Sequence, residues 1–220
     1  MKRRSLFTSA AALAFLAGCA SPTSDRPAII SGTSQTGPYR GAELDPARSY
    51  DLPDVSLTNT SGSAYNIRTG TAAAAVSEPV TVVFFGYSNC PDVCTGILAD
   101  IATARNRMAA DLKGKVRVVV ITTDPARDTP SVFKAYLDRI DPDFVGLTGE
   151  VATIVSVAES VGVAIEDGQK LPSGGYEVTH GTQVIGFGKD YRAAVVWMYP
   201  TPVGDLRVDF ETLAKALVRR

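Results

Sequence analysis

The sequence predicts an α/β sandwich around a mixed central sheet, on three observations. Two compact β-branched runs, residues 80–85 and 116–122, each lead towards a stretch of helical periodicity, the alternation that builds parallel strand pairs. Two later strand-like runs, 182–187 and 193–198, are joined by a short polar turn, so they pair antiparallel and make the sheet mixed. The 220 residues, 45% of them apolar, suit one globular domain without internal repeats. With 22 Lys+Arg against 23 Asp+Glu, the chain has no basic surplus, which excludes an electrostatically driven nucleic-acid binder.

The first segment reads as an address. Lys2, Arg3 and Arg4 precede an uncharged run rich in Ala, Leu and Phe that ends at Gly18, too short for a membrane span of about 20 residues. Leu16-Ala17-Gly18-Cys19 resembles the lipobox of bacterial lipoproteins, which implies a signal peptide over 1–18 and a lipidated Cys19. Arg3-Arg4 with Leu6-Phe7 loosely resembles a twin-arginine signal, although the apolar pair is in the wrong order. Removing 1–18 takes away three basic residues and no acidic one, leaving a charge of −4. Residues 19–49, rich in Ser, Thr, Pro and Gly, are expected to be a flexible tether, and 50–220 the folded domain.

Within that domain, Val55 and Leu57 alternate with polar residues, and 64–67 repeat the alternation after the Ser61-Gly62 turn signal, which predicts a hairpin. The run Val80-Thr81-Val82-Val83-Phe84-Phe85 reads as a buried central strand. Ile97, Leu98, Ile101, Met108 and Leu112 predict one helix from Val93 to about Leu112, stopped by Gly114. A second buried strand follows over 116–122. Thr129-Pro130 opens a helix with Pro where its missing N–H does no harm. Residues 151–161 form a third helix, 182–187 and 193–198 the strand pair, and 209–218 a closing helix.

Cys90-Pro91-Asp92-Val93-Cys94 lies directly after the first buried strand and at the start of the first long helix. The partial positive charge at a helix N-terminus favours thiolate, so these thiols are expected below the usual value of about 8.5. Residues four apart on a helix share a face, with Cβ atoms about 5–6 Å apart. That spacing admits a shared soft ion, a cycling redox couple or a disulfide. A disulfide closing so short a loop would contribute only about 2 kcal/mol as a staple. His180, the sole histidine, stands at a loop-to-strand junction, at the same end of the sheet as Cys90 if the predicted topology holds.

Four segments together carry a resemblance: Phe84-Phe85-Gly86-Tyr87-Ser88-Asn89-Cys90-Pro91-Asp92-Val93-Cys94, Asp124-Pro125-Ala126-Arg127-Asp128-Thr129-Pro130, Gly146-Leu147-Thr148-Gly149, and 176–180 ending in His180. From about Tyr50 to the C-terminus the chain resembles the Sco/SenC family. The resemblance implies a thioredoxin-like fold on a membrane anchor, facing the bacterial periplasm or its equivalent. It implies copper, as Cu(I) or Cu(II), held by Cys90, Cys94 and His180, with Asp124 as a carboxylate near the metal but not on it. It also implies service to the CuA-bearing subunit of cytochrome c oxidase or another copper protein, by copper delivery, by thiol reduction of the target, or both. An upstream copper donor or thiol reductant would complete the exchange. Two positions depart from the family pattern: Thr95 stands where proline usually follows the second cysteine, and Thr179 where aspartate usually precedes the histidine.

The residue chemistry agrees with copper, because Cu(I) is soft and accepts two thiolates and one imidazole, whereas zinc wants four positions. The strongest competing reading is a thiol-disulfide oxidoreductase of the cell envelope acting through Cys90 and Cys94. Such proteins classically use Cys-x-x-Cys, and that reading leaves His180 unexplained. A peroxidase lacks a matching signature around Cys90, and a non-catalytic envelope protein with a chance disulfide is the plainest alternative. Trp197, Met198 and Tyr199 read as packing residues. Asp138, Asp141 and Asp143 lack the spacing of a calcium loop.

Overall fold

A computed structural model describes residues 37–71, 79–91, 93–166, 168–170 and 176–216. The signal segment, Cys19 and Arg219-Arg220 lie outside the described residues. Among the described residues, ten strands and five helices form in the order β1 (Ala42–Glu43), β2 (Ser56–Asn59), β3 (Ala64–Asn66), β4 (Val80–Gly86), α1 (Cys94–Asn106), α2 (Ala110–Lys113), β5 (Val116–Thr122), α3 (Pro130–Leu137), β6 (Val145–Thr148), α4 (Val151–Ser160), β7 (Gln169–Lys170), β8 (Tyr176–Glu177), β9 (Val184–Phe187), β10 (Ala193–Trp197) and α5 (Val203–Ala216).

Eight strands make one mixed sheet in the order β1-β10-β9-β4-β5-β6-β2-β3, while β7 and β8 pair separately. The strand β4 lies parallel to β5 on one side, with Phe84 opposite Val120, and antiparallel to β9 on the other, with Phe84 opposite Val184. All seven residues of β4 are buried, and their alternation serves two cores. Val80, Val82 and Phe84 join the side chains of α1, α3 and α5 on one face. Val83 and Phe85 join Ile154, Val157 and Ala158 of α4 on the other. Fully burying a side chain of this size contributes roughly 1.5–3 kcal/mol, so the strand that leads into the cysteine loop is firmly held from both faces.

The α/β sandwich with its mixed sheet is as the sequence predicts; four local expectations change. The helix expected from Val93 to Leu112 is two helices, because Ala109 is extended (φ −57°, ψ 137°) and its N–H is taken by Glu211 Oε1 at 3.3 Å. Four-residue β6 escapes detection by pattern. The closing helix begins at Val203, not Asp209, with Asp205 and Leu206 N–H groups bonding the Pro202 carbonyl. Residues 42–43, which fall within the stretch expected to be a flexible tether, form β1, which pairs with β10 and places Ala42 opposite Val196. The cause is Asp209, which is fully buried and accepts the N–H groups of Arg40 at 2.8 Å, Gly41 at 2.9 Å and the Trp197 indole at 2.7 Å.

Trp197 packs in the core, whereas Met198 and Tyr199 are 42% and 41% exposed. Asp141 and Asp143 both pair with the buried Arg105 guanidinium, at 3.3 and 3.0 Å, which gives these carboxylates a structural partner.

Candidate metal centre

Cys94 is the first residue of α1 and is wholly buried, while Cys90, in the loop between β4 and α1, is half-buried. That loop turns tightly, with Cys90 N–H donating to the Tyr87 carbonyl at 3.3 Å. Gly86 permits the turn: a Cβ there would lie 2.6 Å from the Phe84 ring and 3.4 Å from Cys94 Sγ.

His180 arrives from the other side of the fold. It forms an isolated antiparallel bridge with Ile165, flanked by Glu166 N–H to the Thr179 carbonyl at 2.9 Å and Gly181 N–H to the Ala164 carbonyl at 3.0 Å. The ring is held edge-on by Phe84 and Tyr87, with centroids 6.1 and 5.9 Å away. The Tyr87 hydroxyl accepts Val178 N–H at 3.2 Å, so one side chain both walls the imidazole and ties down the segment that carries it.

The orientation of His180 follows from its partners. Nδ1 lies 2.9 Å from the Gly181 carbonyl, which can only accept, so Nδ1 carries the proton. The Nε2 lone pair is thereby turned to Cys94 Sγ, 3.3 Å away. Cys90 Sγ, Cys94 Sγ and a His180 ring nitrogen all lie within 4.8 Å of one another, and no disulfide joins the two sulfurs. Two sulfurs and an imidazole lone pair suit a soft, low-coordinate cation. No carboxylate joins the three as a fourth donor among the described residues, which disfavours zinc.

The helix start does not lower the Cys94 thiol, contrary to the expectation from helix polarity. Its hydrogen bond with Cys90 pushes it up first, then burial, then the Cys90 charge; hydrogen bonds with the backbone at Tyr87 and Cys94 pull weakly the other way. In the metal-free protein the pair therefore retains a proton, which an incoming cation must displace.

Asp124 is buried and its carboxylate pairs with Arg127. The Arg127 guanidinium lies 5.6 Å from the Tyr87 ring centroid, so Asp124 reaches the imidazole through two intermediaries. Thr95 places its hydroxyl 3.1 Å from the Tyr136 hydroxyl, while Thr179 is exposed. Sequence reasoning assigned no role to Tyr87, Ser88 or Asp128, although all three stand within the quoted motifs. Asp128 is fully buried, and its carboxylate accepts Ser88 N–H at 3.0 Å, the Ser88 hydroxyl, and the Thr122 hydroxyl at 2.6 Å.

Fold and site together define a thioredoxin-like domain bearing a thiol-rich Cys₂His group at the end of its central strand. The chain belongs to the SCO1/SenC family, whose model matches residues 56–214. Among solved structures, ScoI of Bradyrhizobium japonicum with copper bound is 27% identical, with a TM-score of 0.62 over 75% of this chain and 97% of that one. A further structure, BsSco, described as a member of the Sco family of cytochrome c oxidase assembly proteins, shares the fold at 19% identity and a TM-score of 0.56, over 76% of this chain and 95% of that one. Protein SenC of Rhodobacter capsulatus is 38% identical over 96 residues, covering 40% of this chain and 41% of that protein. The chain spans about half the length, or less, of the curated relatives it matches.

Proposed function

We propose that this chain binds copper through Cys90, Cys94 and His180 and serves as a metallochaperone in assembly of the CuA centre of cytochrome c oxidase. The observation that carries this reading is the convergence of the three donors within 4.8 Å, with the imidazole lone pair turned to a buried sulfur. Family membership and the copper-bound structural relative support it. Copper is cargo here. As Cu(I) enters, the sulfurs become ligands and the proton retained by the pair leaves, so affinity rises with pH across the neutral range. Asp124 acts at a distance, through Arg127 and Tyr87.

The receiving partner is the CuA-bearing subunit or another copper protein, supplied by an upstream donor. In this reading residues 1–18 are an export signal and Cys19 is lipidated, so the domain is anchored at a bacterial membrane and faces the periplasm or its equivalent; the basic-then-apolar run ending in Leu16-Ala17-Gly18-Cys19 supports it. Replacing Cys19 with serine should move the protein from the membrane to the soluble fraction; continued membrane retention would remove the lipid anchor from this account.

The test is copper stoichiometry and Cu(I) competition on the reduced full-length chain. One tightly held ion per chain is expected. Absence of competitive binding would overturn the chaperone reading. Two adjacent thiols with no disulfide between them favour a second reading, reduction of a target disulfide: two electrons and two protons pass to the target as Cys90 and Cys94 join. A pure reductase should retain full activity in His180→Ala.

A further inference from the structure

From the hydrogen bonds between Asp128 and Ser88 we infer that Asp128 is a positioning residue for metal capture, holding the Cys90 loop in its ligand-ready shape; this rests on the copper-binding reading above. Asp128 sits at the end of a turn after β5, where its own N–H bonds the Asp124 carbonyl at 2.9 Å. Both carboxylate oxygens are engaged. One accepts the Ser88 hydroxyl; the other accepts Ser88 N–H at 3.0 Å and the Thr122 hydroxyl at 2.6 Å. The Thr122 oxygen in turn accepts Asp124 N–H at 3.0 Å, closing the turn on itself.

Ser88 lies two residues before Cys90, directly after the tyrosine whose carbonyl receives Cys90 N–H. Through Ser88, Asp128 therefore determines where the loop leaves β4 and where Cys90 meets Cys94. A second tie runs alongside it, from Thr123 N–H to the Gly86 carbonyl at 3.1 Å. A carboxylate taken fully out of water is costly, and here the donors it meets, on Ser88 and Thr122, are uncharged, with no ion pair to Asp128 among the described residues. Packing alone does not call for a carboxylate at this place; ordering three donors at the edge of the site does. Groups of this kind, one step removed from the ligands, commonly govern metal affinity by 10–100-fold or so.

The experiment compares the full-length wild type with Asp128→Ala, Asp128→Asn and Ser88→Ala. Three quantities are read: alkylation of Cys90 by a neutral reagent in the reduced, metal-free chain, Cu(I) affinity by competition, and the Cu(II)-thiolate absorption band. Asp128→Ala should speed Cys90 alkylation several-fold, weaken Cu(I) by about 10–100-fold and shift the band. Asp128→Asn should restore most of each, since an amide keeps the accepting oxygen and the Ser88 hydroxyl can turn to accept from its nitrogen. Ser88→Ala should move all three in the same direction by less.

Wild-type alkylation and affinity in Asp128→Ala would overturn the inference, as would equal damage in the alanine and asparagine variants. Should Asp128→Ala fail to fold, Ser88→Ala decides, and its indifference would be fatal. If the wild type binds no copper, the metallochaperone reading falls, while the alkylation comparison still tells whether Asp128 sets the loop.

Discussion

The two halves of the metal centre are built in contrasting ways. The cysteine half grows from the middle of the sheet: Cys94 is wholly buried against β4, and the loop before Cys90 is wired to β5 through Asp128 and Thr123. Among the described residues the histidine half hangs from the two backbone hydrogen bonds that bridge it to the Ile165 segment and from the Tyr87 hydroxyl on Val178 N–H. Burial fixes the Cys94 sulfur and the wired loop brings half-buried Cys90 to it, whereas a few polar contacts and two ring edges present the imidazole. A carrier needs firm capture and the ability to let go. In the proposed carrier the dithiol would supply the first, and the more lightly supported imidazole would be the natural place for the second.

Substitutions separate the halves. The largest effect is expected for Cys90→Ser or Cys94→Ser, which should lower Cu(I) affinity by more than about 100-fold, since even outer partners govern 10–100-fold; competition with a chelator measures it. Replacing His180 with alanine should cost less Cu(I) affinity than either cysteine change, because two thiolates satisfy Cu(I), but should abolish the native Cu(II)-thiolate spectrum. Equal losses for all three would break the contrast. Tyr87→Phe keeps the ring against His180 but strands the Val178 N–H. It should cost about 1–3 kcal/mol in chemical denaturation and weaken copper binding less than His180→Ala. The smallest change is expected from Thr95→Val, which removes the hydroxyl partner of Tyr136 for about 0.5–1.5 kcal/mol and leaves copper affinity near wild type.

What could be read from sequence follows the same division. The strands β4 and β5 are legible because complete burial demands unbroken apolar runs, and the cysteine pair declares itself by its place at the strand's end. The break at Ala109 is illegible because its cause, Glu211, lies 102 residues away. The pairing of β1 depends likewise on Asp209, at separations of 168 and 169 residues from Gly41 and Arg40. Asp128 stands in a quoted motif, yet its purpose appears only when Ser88, 40 residues earlier, is beside it. The raised Cys94 thiol was misjudged because helix polarity is a local property, while burial and the second sulfur are not.

Asp209 has a mechanical consequence. A pull on the chain from before residue 40 would meet the N–H groups of Arg40 and Gly41 clasped by a side chain that is also bonded to the Trp197 indole. The load passes into α5 and the β1–β10 edge, at the far side of β9 from the strand that ends in the cysteines. The clasp thus acts as a strain relief for β4: tension on the N-terminal segment meets α5 and the sheet's margin first.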